Sequence, residues 1–301
     1  MHPAYSIILF TTLSGLGYGL AVALGLGVLD PSLLSTKLAY LASLSFIAIG
    51  LLSSLLHLGN PQRAWRALSQ WRSSWLSREG VMAIATFVPL TLSAALAIFA
   101  NRYDSVLGLI SALGALLTVY CTSMIYASLK TVGSWHTKLT PLCFLLFSLA
   151  GGFLLASAFA SGSGLIAELL ALLFLLLALI AKMVWRNRAT MLVPLSTPES
   201  ATGLGSIGRV RLFERPHALD NYLTREMGFR VARKHAARLW AIAFVCGAVL
   251  PIVALLTAMV LNGGLVSQFV LAVGVLAHFL GVFVERWLFF AEAKHAVMNY
   301  Y

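Results

Sequence analysis

Charge is scarce in this chain of 301 residues. Asp, Glu, Lys and Arg make up 10% of it, against about 25% in a soluble globular protein, too little to coat a surface that faces water on all sides. Acidic residues are the scarcer kind, 10 against 21 Lys and Arg, which leaves a formal charge of +11. Cysteine is also sparse: Cys121, Cys143 and Cys246 are scattered through apolar stretches with no C-x-x-C pair. That spacing offers no ligand set for an iron–sulfur cluster or a structural zinc, and the three read as small buried hydrophobes. Met1-His2-Pro3 precedes the first apolar run without the Lys or Arg that opens a secretory signal, so that run is expected to be a retained span. What the chain has in abundance is apolar side chain, 60% of all residues. Its mean hydropathy is +0.90, which excludes an intrinsically disordered chain. The basic residues sit between the apolar runs, which makes a membrane, and not nucleic acid, the expected partner.

Crossing a bilayer takes about 20 mostly apolar residues in a helix. Eight stretches meet that requirement, at 5–29, 36–57, 79–100, 105–128, 139–160, 164–185, 237–260 and 265–290. Short turn-like breaks at 30–31, 101–104, 161–164 and 262–264 alternate with longer basic connections at 58–78, 129–138 and 186–236. The expected fold is therefore all-α: an integral membrane bundle of eight transmembrane helices forming one domain over 1–301, with a docking loop at about 186–236. Of the 21 Lys and Arg, all but Lys37 and Arg102 fall on one side of that bundle. The positive-inside rule then predicts that both termini and the three long connections are cytoplasmic. Trp65, Trp71, Trp75, Trp135, Trp185, Trp240 and Trp287 cluster at the same end, although tryptophan anchors normally occupy both interfaces. Two compatible readings fit: an interfacial belt, with 60–78 lying on the membrane as an amphipathic helix, or a docking platform of Trp and Arg that includes Trp65, Trp71 and Trp75.

The stretch from Leu52 to Ala67 carries the most chemistry. His57 closes the second span where Gly59 and Pro61 end the helix, and Glu79 opens the third after Ser77-Arg78. An ionisable residue at the lip of a span is a functional candidate by default. Two-electron, two-proton quinone chemistry needs a hydrogen-bond partner for a carbonyl and a proton route. Histidine suits the first and a carboxylate suits the second. Arg63 and Arg66 complete this candidate set for quinone binding and proton transfer. The plainer alternative is a helix-capping His57 and a Glu79 that favours a helix N-terminus through its charge.

The runs His57-Leu58-Gly59-Asn60-Pro61-Gln62-Arg63-Ala64, Leu76-Ser77-Arg78-Glu79, Tyr126 to Val132 with Trp135, and His2 to Ser6 together resemble the dimethyl sulfoxide reductase membrane-anchor (DmsC-type) family. The resemblance implies an integral subunit of a three-part oxidoreductase in the bacterial inner (cytoplasmic) membrane. A molybdopterin catalytic subunit would perform the substrate chemistry, and an iron–sulfur subunit would relay electrons. The anchor would exchange those electrons with membrane quinone, either ubiquinone or menaquinone. It also implies that His57 and Glu79 match the quinone-site positions. Val284 to His295 and Thr197 to Gly203 are similar to the sulfite dehydrogenase anchor (SoeC-type) branch, which implies a cytoplasmic catalytic unit oxidising sulfite to sulfate. The 186–236 connection is longer than in the shorter anchors of the family. A quinol-fed reductase of the DMSO or polysulfide type is the alternative within this class. A proton-coupled transporter using His57, Glu79 and Glu285 is the alternative outside it, although related halves and discontinuous helices are not evident.

Other features have plainer readings. Gly203-Leu204-Gly205-Ser206-Ile207-Gly208 spells a dinucleotide fingerprint but lacks the preceding strand that motif requires, and it reads as a flexible loop. Arg209, Arg211, Arg215, Arg225, Arg230, Arg233 and Lys234 form either a lipid-attracting loop or a docking surface for the iron–sulfur subunit, with Arg209, Arg211 and Arg230 as contacts. Glu285 and Arg286 end the last span as pocket or bracing residues. Adjacent helical residues diverge by about 100°, so each is expected to pair with another helix and not with its neighbour. His278 stands alone inside a span, so no haem is expected on the chain. Gly15-x-x-x-Gly19 permits close helix approach.

Overall fold

The computed structural model describes residues 4–56, 60–160, 164–193, 196–211, 213–214 and 231–299. With no water in the hydrocarbon to satisfy backbone groups, an apolar polypeptide of this kind must bond its own peptide groups along helices. The described residues follow that rule: α1 (Tyr5–Gly25), α2 (Leu34–Leu55), a 3-10 segment (Pro61–Gln70), α3 (Trp75–Ala100), α4 (Ser105–Ala127), α5 (Leu139–Phe159), α6 (Leu165–Thr190) and the short α7 (Pro198–Thr202). They continue with α8 (Val231–Phe244), a π turn (Val245–Val249), α9 (Leu250–Leu261) and α10 (Leu265–Ala291). Among the described residues, eight helices are long and apolar enough to cross a membrane, with α8, the π turn and α9 together making the seventh.

The expected spans correspond to these helices, with informative differences at the ends. Helix α3 begins at Trp75, four residues before the expected start, so Glu79 lies one turn inside the helix and not at its opening. Helix α6 continues through Trp185, Arg186 and Arg188 to Thr190. The end opposite the basic connections is closed by local chemistry. Asn101 and Asn262 adopt left-handed φ of 50° to terminate α3 and α9, and Asp104 caps α4 by accepting from Val106 N and Leu107 N at 3.0 and 2.9 Å. Tyr103 Oη donates to the Gly25 carbonyl at 2.8 Å and so caps the end of α1.

Helix α1 is the central stave, packed against α2, α4, α5 and α10. Small residues allow that crowding, since helices in lipid associate through close packing. At the α1–α5 crossing, Gly19 faces Gly152 and the Ser148 carbonyl so closely that a β-carbon on Gly19 would collide with backbone. Ser148 Oγ donates across the same crossing to the Gly15 carbonyl at 2.6 Å. Gly15 itself faces open space, so only the second glycine of the expected pair is a packing requirement. Gly19→Val is therefore expected to destabilise the solubilised protein by roughly 1–3 kcal/mol or more through overpacking. Gly15→Ala should stay within about 0.5 kcal/mol of wild type. Thermal unfolding in detergent checks both, and equal shifts for the two variants would contradict the crossing described.

Candidate functional site

The 3-10 segment and the turn after it are anchored to the start of α3 by Arg78 and Ser77, which precede Glu79 in the motif. Arg78 donates from Nε to the Trp71 carbonyl at 3.0 Å and from Nη2 to the Arg72 carbonyl at 2.7 Å. Ser77 Oγ donates to the Ala67 carbonyl. The guanidinium of Arg78 also lies 4.3 Å from the Trp75 ring centroid, and Trp75 is half-buried, edge-on to Tyr120. Arg63 and Arg66 are exposed. Trp65 and Trp71 stand 67% and 53% exposed, with Arg66 and Arg72 stacked on them. His57 lies outside the described residues.

Glu79 is buried. Its carboxylate accepts a hydrogen bond from Thr122 Oγ1 of α4, and Thr122 in turn reaches the Thr118 carbonyl at 3.1 Å. Thr118 Oγ1 continues the line to Thr86 Oγ1 at 3.2 Å. Beyond Thr122 is a cavity of about 20 Å³, bordered by Thr12, Ser14, Ser148 and Arg286 among others, on the order of the space one water occupies. Thr12 Oγ1 is buried there without a hydrogen-bond partner among the described residues. A buried carboxylate, a row of hydroxyls and a guanidinium thus border one polar interior region at the basic end.

On the far side of that region lies a charge cluster. Lys182 of α6 places Nζ 2.5 Å from Glu285 Oε1, and Arg286 Nε is 3.5 Å from Glu285 Oε2. The expectation that Glu285 and Arg286 pair with other helices and not with each other is half corrected: Glu285 meets Lys182 of α6 and Arg286 lies 3.7 Å from the Phe144 ring centroid of α5, but the two also approach each other. A long guanidinium stem overcomes the divergence of adjacent positions. Lys182 was not among the expected site residues. The available signal was a lone lysine inside one span and a lone interior acid in another, which hydrocarbon obliges to find each other.

The tryptophans need a larger correction. Trp135, Trp185 and Trp240, expected in an interfacial belt or docking platform, are core residues. Trp135 stacks on Phe289 at 5.1 Å and donates Nε1 to its carbonyl at 3.0 Å. Trp185 Nε1 donates to Thr140 Oγ1 at 3.2 Å, and Trp240 Nε1 donates to Glu292 Oε2 at 3.0 Å. The ammonium of Lys182 sits 3.6 Å from the Trp185 ring centroid and 5.2 Å from that of Trp240. Aromatic faces here partly replace the water a buried cation has lost.

Between α6, the seventh span and α10 is a cavity of about 320 Å³, with Lys182, Arg186 and Glu285 on an otherwise mainly apolar wall. The π turn that borders it was not anticipated. It brings Gly247 against Gly281 of α10, and the Gly247 carbonyl accepts from His278 Nδ1 at 2.8 Å.

In the connection after α6, Thr197 and Ser200 form a reciprocal capping box at α7, and Gly203 ends that helix at φ 71°. The glycine-rich run is thus a helix terminator followed by a 3-10 turn, not the flexible loop expected, and a helix precedes it where the dinucleotide fold needs a strand. Glu199 accepts from Val210 N at 3.2 Å. Hydrogen bonds hold its carboxyl below the usual carboxylate range. Arg209 and Arg211 are exposed. Arg215, Arg225 and Arg230 lie outside the described residues.

Residues 1–291 match the family described as DMSO reductase anchor subunit (DmsC). The chain is 32% identical to the sulfite dehydrogenase C subunit of Allochromatium vinosum, across 100% of this chain and 99% of that protein. It is 31% identical to the C polypeptide of the anaerobic dimethyl sulfoxide reductase of Haemophilus influenzae, over 38% of this chain and 42% of that one.

The charge cluster makes a stability prediction that does not depend on function. Lys182→Met leaves Glu285 without its nearest cation in a buried site and is expected to cost about 3–5 kcal/mol. Adding Glu285→Gln removes the stranded charge and should restore most of that loss. Thermal unfolding of the single and double variants measures the coupling, and additive losses would contradict the pairing.

Proposed function

From the premise that the chain belongs to the DMSO reductase anchor subunit (DmsC) family, we propose that it passes electrons to the membrane quinone pool on behalf of a sulfite-oxidising molybdoenzyme. As a member of that family it is the membrane anchor subunit of a DMSO reductase-type complex. The observation that carries the finer reading is Glu79: a carboxylate buried at the basic end of the bundle, one turn inside α3, held by Thr122. Near-complete similarity in length and alignment to a sulfite dehydrogenase subunit favours the sulfite branch over a quinol-fed reductase, for which the match is partial.

In this reading an iron–sulfur subunit docks on the exposed aromatic and basic groups of the 3-10 segment and the turn after it, Trp65 and Trp71 with Arg66 and Arg72, and on the connection that carries Arg209 and Arg211. A molybdopterin subunit sits beyond it and oxidises sulfite in the cytoplasm of a bacterium, at its inner membrane. The positive-inside rule supports that sidedness. A quinone, when bound, takes up two electrons and two protons. Glu79 suits that chemistry because its carboxylate holds a proton-accepting position out of bulk water, and Thr122 fixes the direction in which it points. His57, one connection earlier in the sequence, would hydrogen-bond a headgroup carbonyl, while Arg63 and Arg66 would keep the rim positive.

Glu79→Gln keeps the hydrogen bond to Thr122 and removes the exchangeable proton. In the full complex it is expected to slow quinone reduction by roughly a hundredfold or more, the usual contribution of a positioned acid or base, while a soluble dye still accepts electrons at the wild-type rate. His57→Ala is expected to behave likewise. Steady-state assays with the two acceptors separate the cases. Full quinone activity in both variants would remove these residues from the site, and loss of dye reduction would point to a broken complex instead.

A further inference from the structure

A buried ion pair in the wall of an apolar cavity is costly unless something uses it. Lys182 and Glu285 are 6% and 3% exposed, yet both line the cavity of about 320 Å³ between α6, the seventh span and α10. Lys182 donates to Glu285 Oε1 at 2.5 Å, and Oε2 lies 3.5 Å from Arg286 Nε, so each carboxylate oxygen keeps a further lone pair with which to accept. The remaining wall is chiefly apolar, with Phe147, Leu175, Phe244 and Trp240 supplying aromatic and aliphatic surface. Met183 and Phe244, at its edge, are 47% and 38% exposed on helices that face lipid, so the cavity opens sideways into hydrocarbon. From Leu175 to Arg186 the wall runs along twelve residues of α6, roughly 16 Å of helix.

We propose that this cavity is a second ligand site, separate from Glu79, which takes the headgroup of a prenylated 1,4-dione and its reduced diol from the bilayer. The chemistry on its wall selects that class. A dione only accepts hydrogen bonds and meets the Lys182 ammonium; a diol also donates and meets the Glu285 carboxylate. The pair serves both forms without rearrangement. A phospholipid headgroup fits less well, because the carboxylate 2.5 Å from the ammonium offsets the positive charge a phosphate would seek, leaving only Arg186 at the mouth. The tail of the dione would lie along Leu175 and Phe147. The proposal concerns binding alone, and it rests on the reading that the chain serves a quinone-type carrier.

The test uses the intact complex in native-lipid membranes with a photoreactive azido-ubiquinone carrying a short prenyl tail. After illumination and digestion, label is expected on peptides covering 175–186 and 237–248, competed by unlabelled ubiquinone and persisting in Glu79→Gln. Ala241→Trp fills the cavity from its lipid-exposed edge and should lower that labelling about tenfold, an affinity loss of about 1.4 kcal/mol. Ala237→Trp, also exposed at the edge, gives an independent blocking variant should the first not assemble. Label confined to peptides around 57–79 overturns the second site and leaves the proposed function standing. Label in neither region overturns the second site, and overturns that function too if wild type fails to reduce quinone. A phospholipid retained by wild type and lost from Ala241→Trp in native mass spectrometry would also overturn the proposal, by identifying a different occupant.

Discussion

Hydrocarbon tolerates neither an unpaired charge nor an unpaired peptide group, and the rest of this molecule follows from that intolerance. Peptide groups are satisfied along helices, so the polypeptide crosses as a bundle. Moving an Arg or Lys to the centre of a bilayer costs about 2.5–3.5 kcal/mol on insertion scales, which agrees with the placement of nearly all of the 21 basic residues between or at the ends of the apolar runs. The exceptions that enter the interior do so in company. Lys182 enters with Glu285 and two tryptophan faces, and Arg286 with Glu285 and Phe144. Glu79 enters with a threonine hydroxyl.

Two of these neighbourhoods meet at α1, whose Thr12 and Ser14 border the same small cavity as Thr122, Ser148 and Arg286. The crossing of α1 with α5 at Gly19 and Gly152 brings the two backbones into direct contact beside it. Thr122, which holds Glu79, and Arg286, which neighbours Glu285, thus border one small cavity whose remaining wall is part polar and part apolar. In the proposed function, an anchor whose carrier gains protons with electrons would keep such groups together at the end where its partners dock.

What was legible in the sequence is what composition and period encode. Apolar runs of bilayer length marked the spans, and the Asn101 and Asn262 turns fell at the expected breaks. The identity of Glu79 as a site candidate was visible, but its depth was not: four further residues of α3, held by Ser77 and Arg78, moved it from the opening of the helix into the core. Tryptophan position along the sequence did not reveal burial, because Trp135, Trp185 and Trp240 are drawn inward by Phe289, Thr140 and Glu292, partners remote in sequence. The π turn depends on the backbone contact of Gly247 with Gly281, which no local pattern announces. Lys182 was hidden in a count of basic residues until its acid, more than a hundred positions away, was in place.

The proposed function requires the basic end to face the cytoplasm, where a redox partner would reach the 3-10 segment and the mouth of the bundle. Its most direct test is sided labelling with a membrane-impermeant maleimide in intact cells. Cysteine is introduced at Ser69, exposed in the 3-10 segment, or at Ser32, exposed in the opposite turn; the native Cys121 and Cys143 are buried. Ser32→Cys is predicted to label in intact cells and Ser69→Cys only after the membrane is opened. Labelling of Ser69→Cys from outside intact cells would contradict the orientation and the electron route built on it.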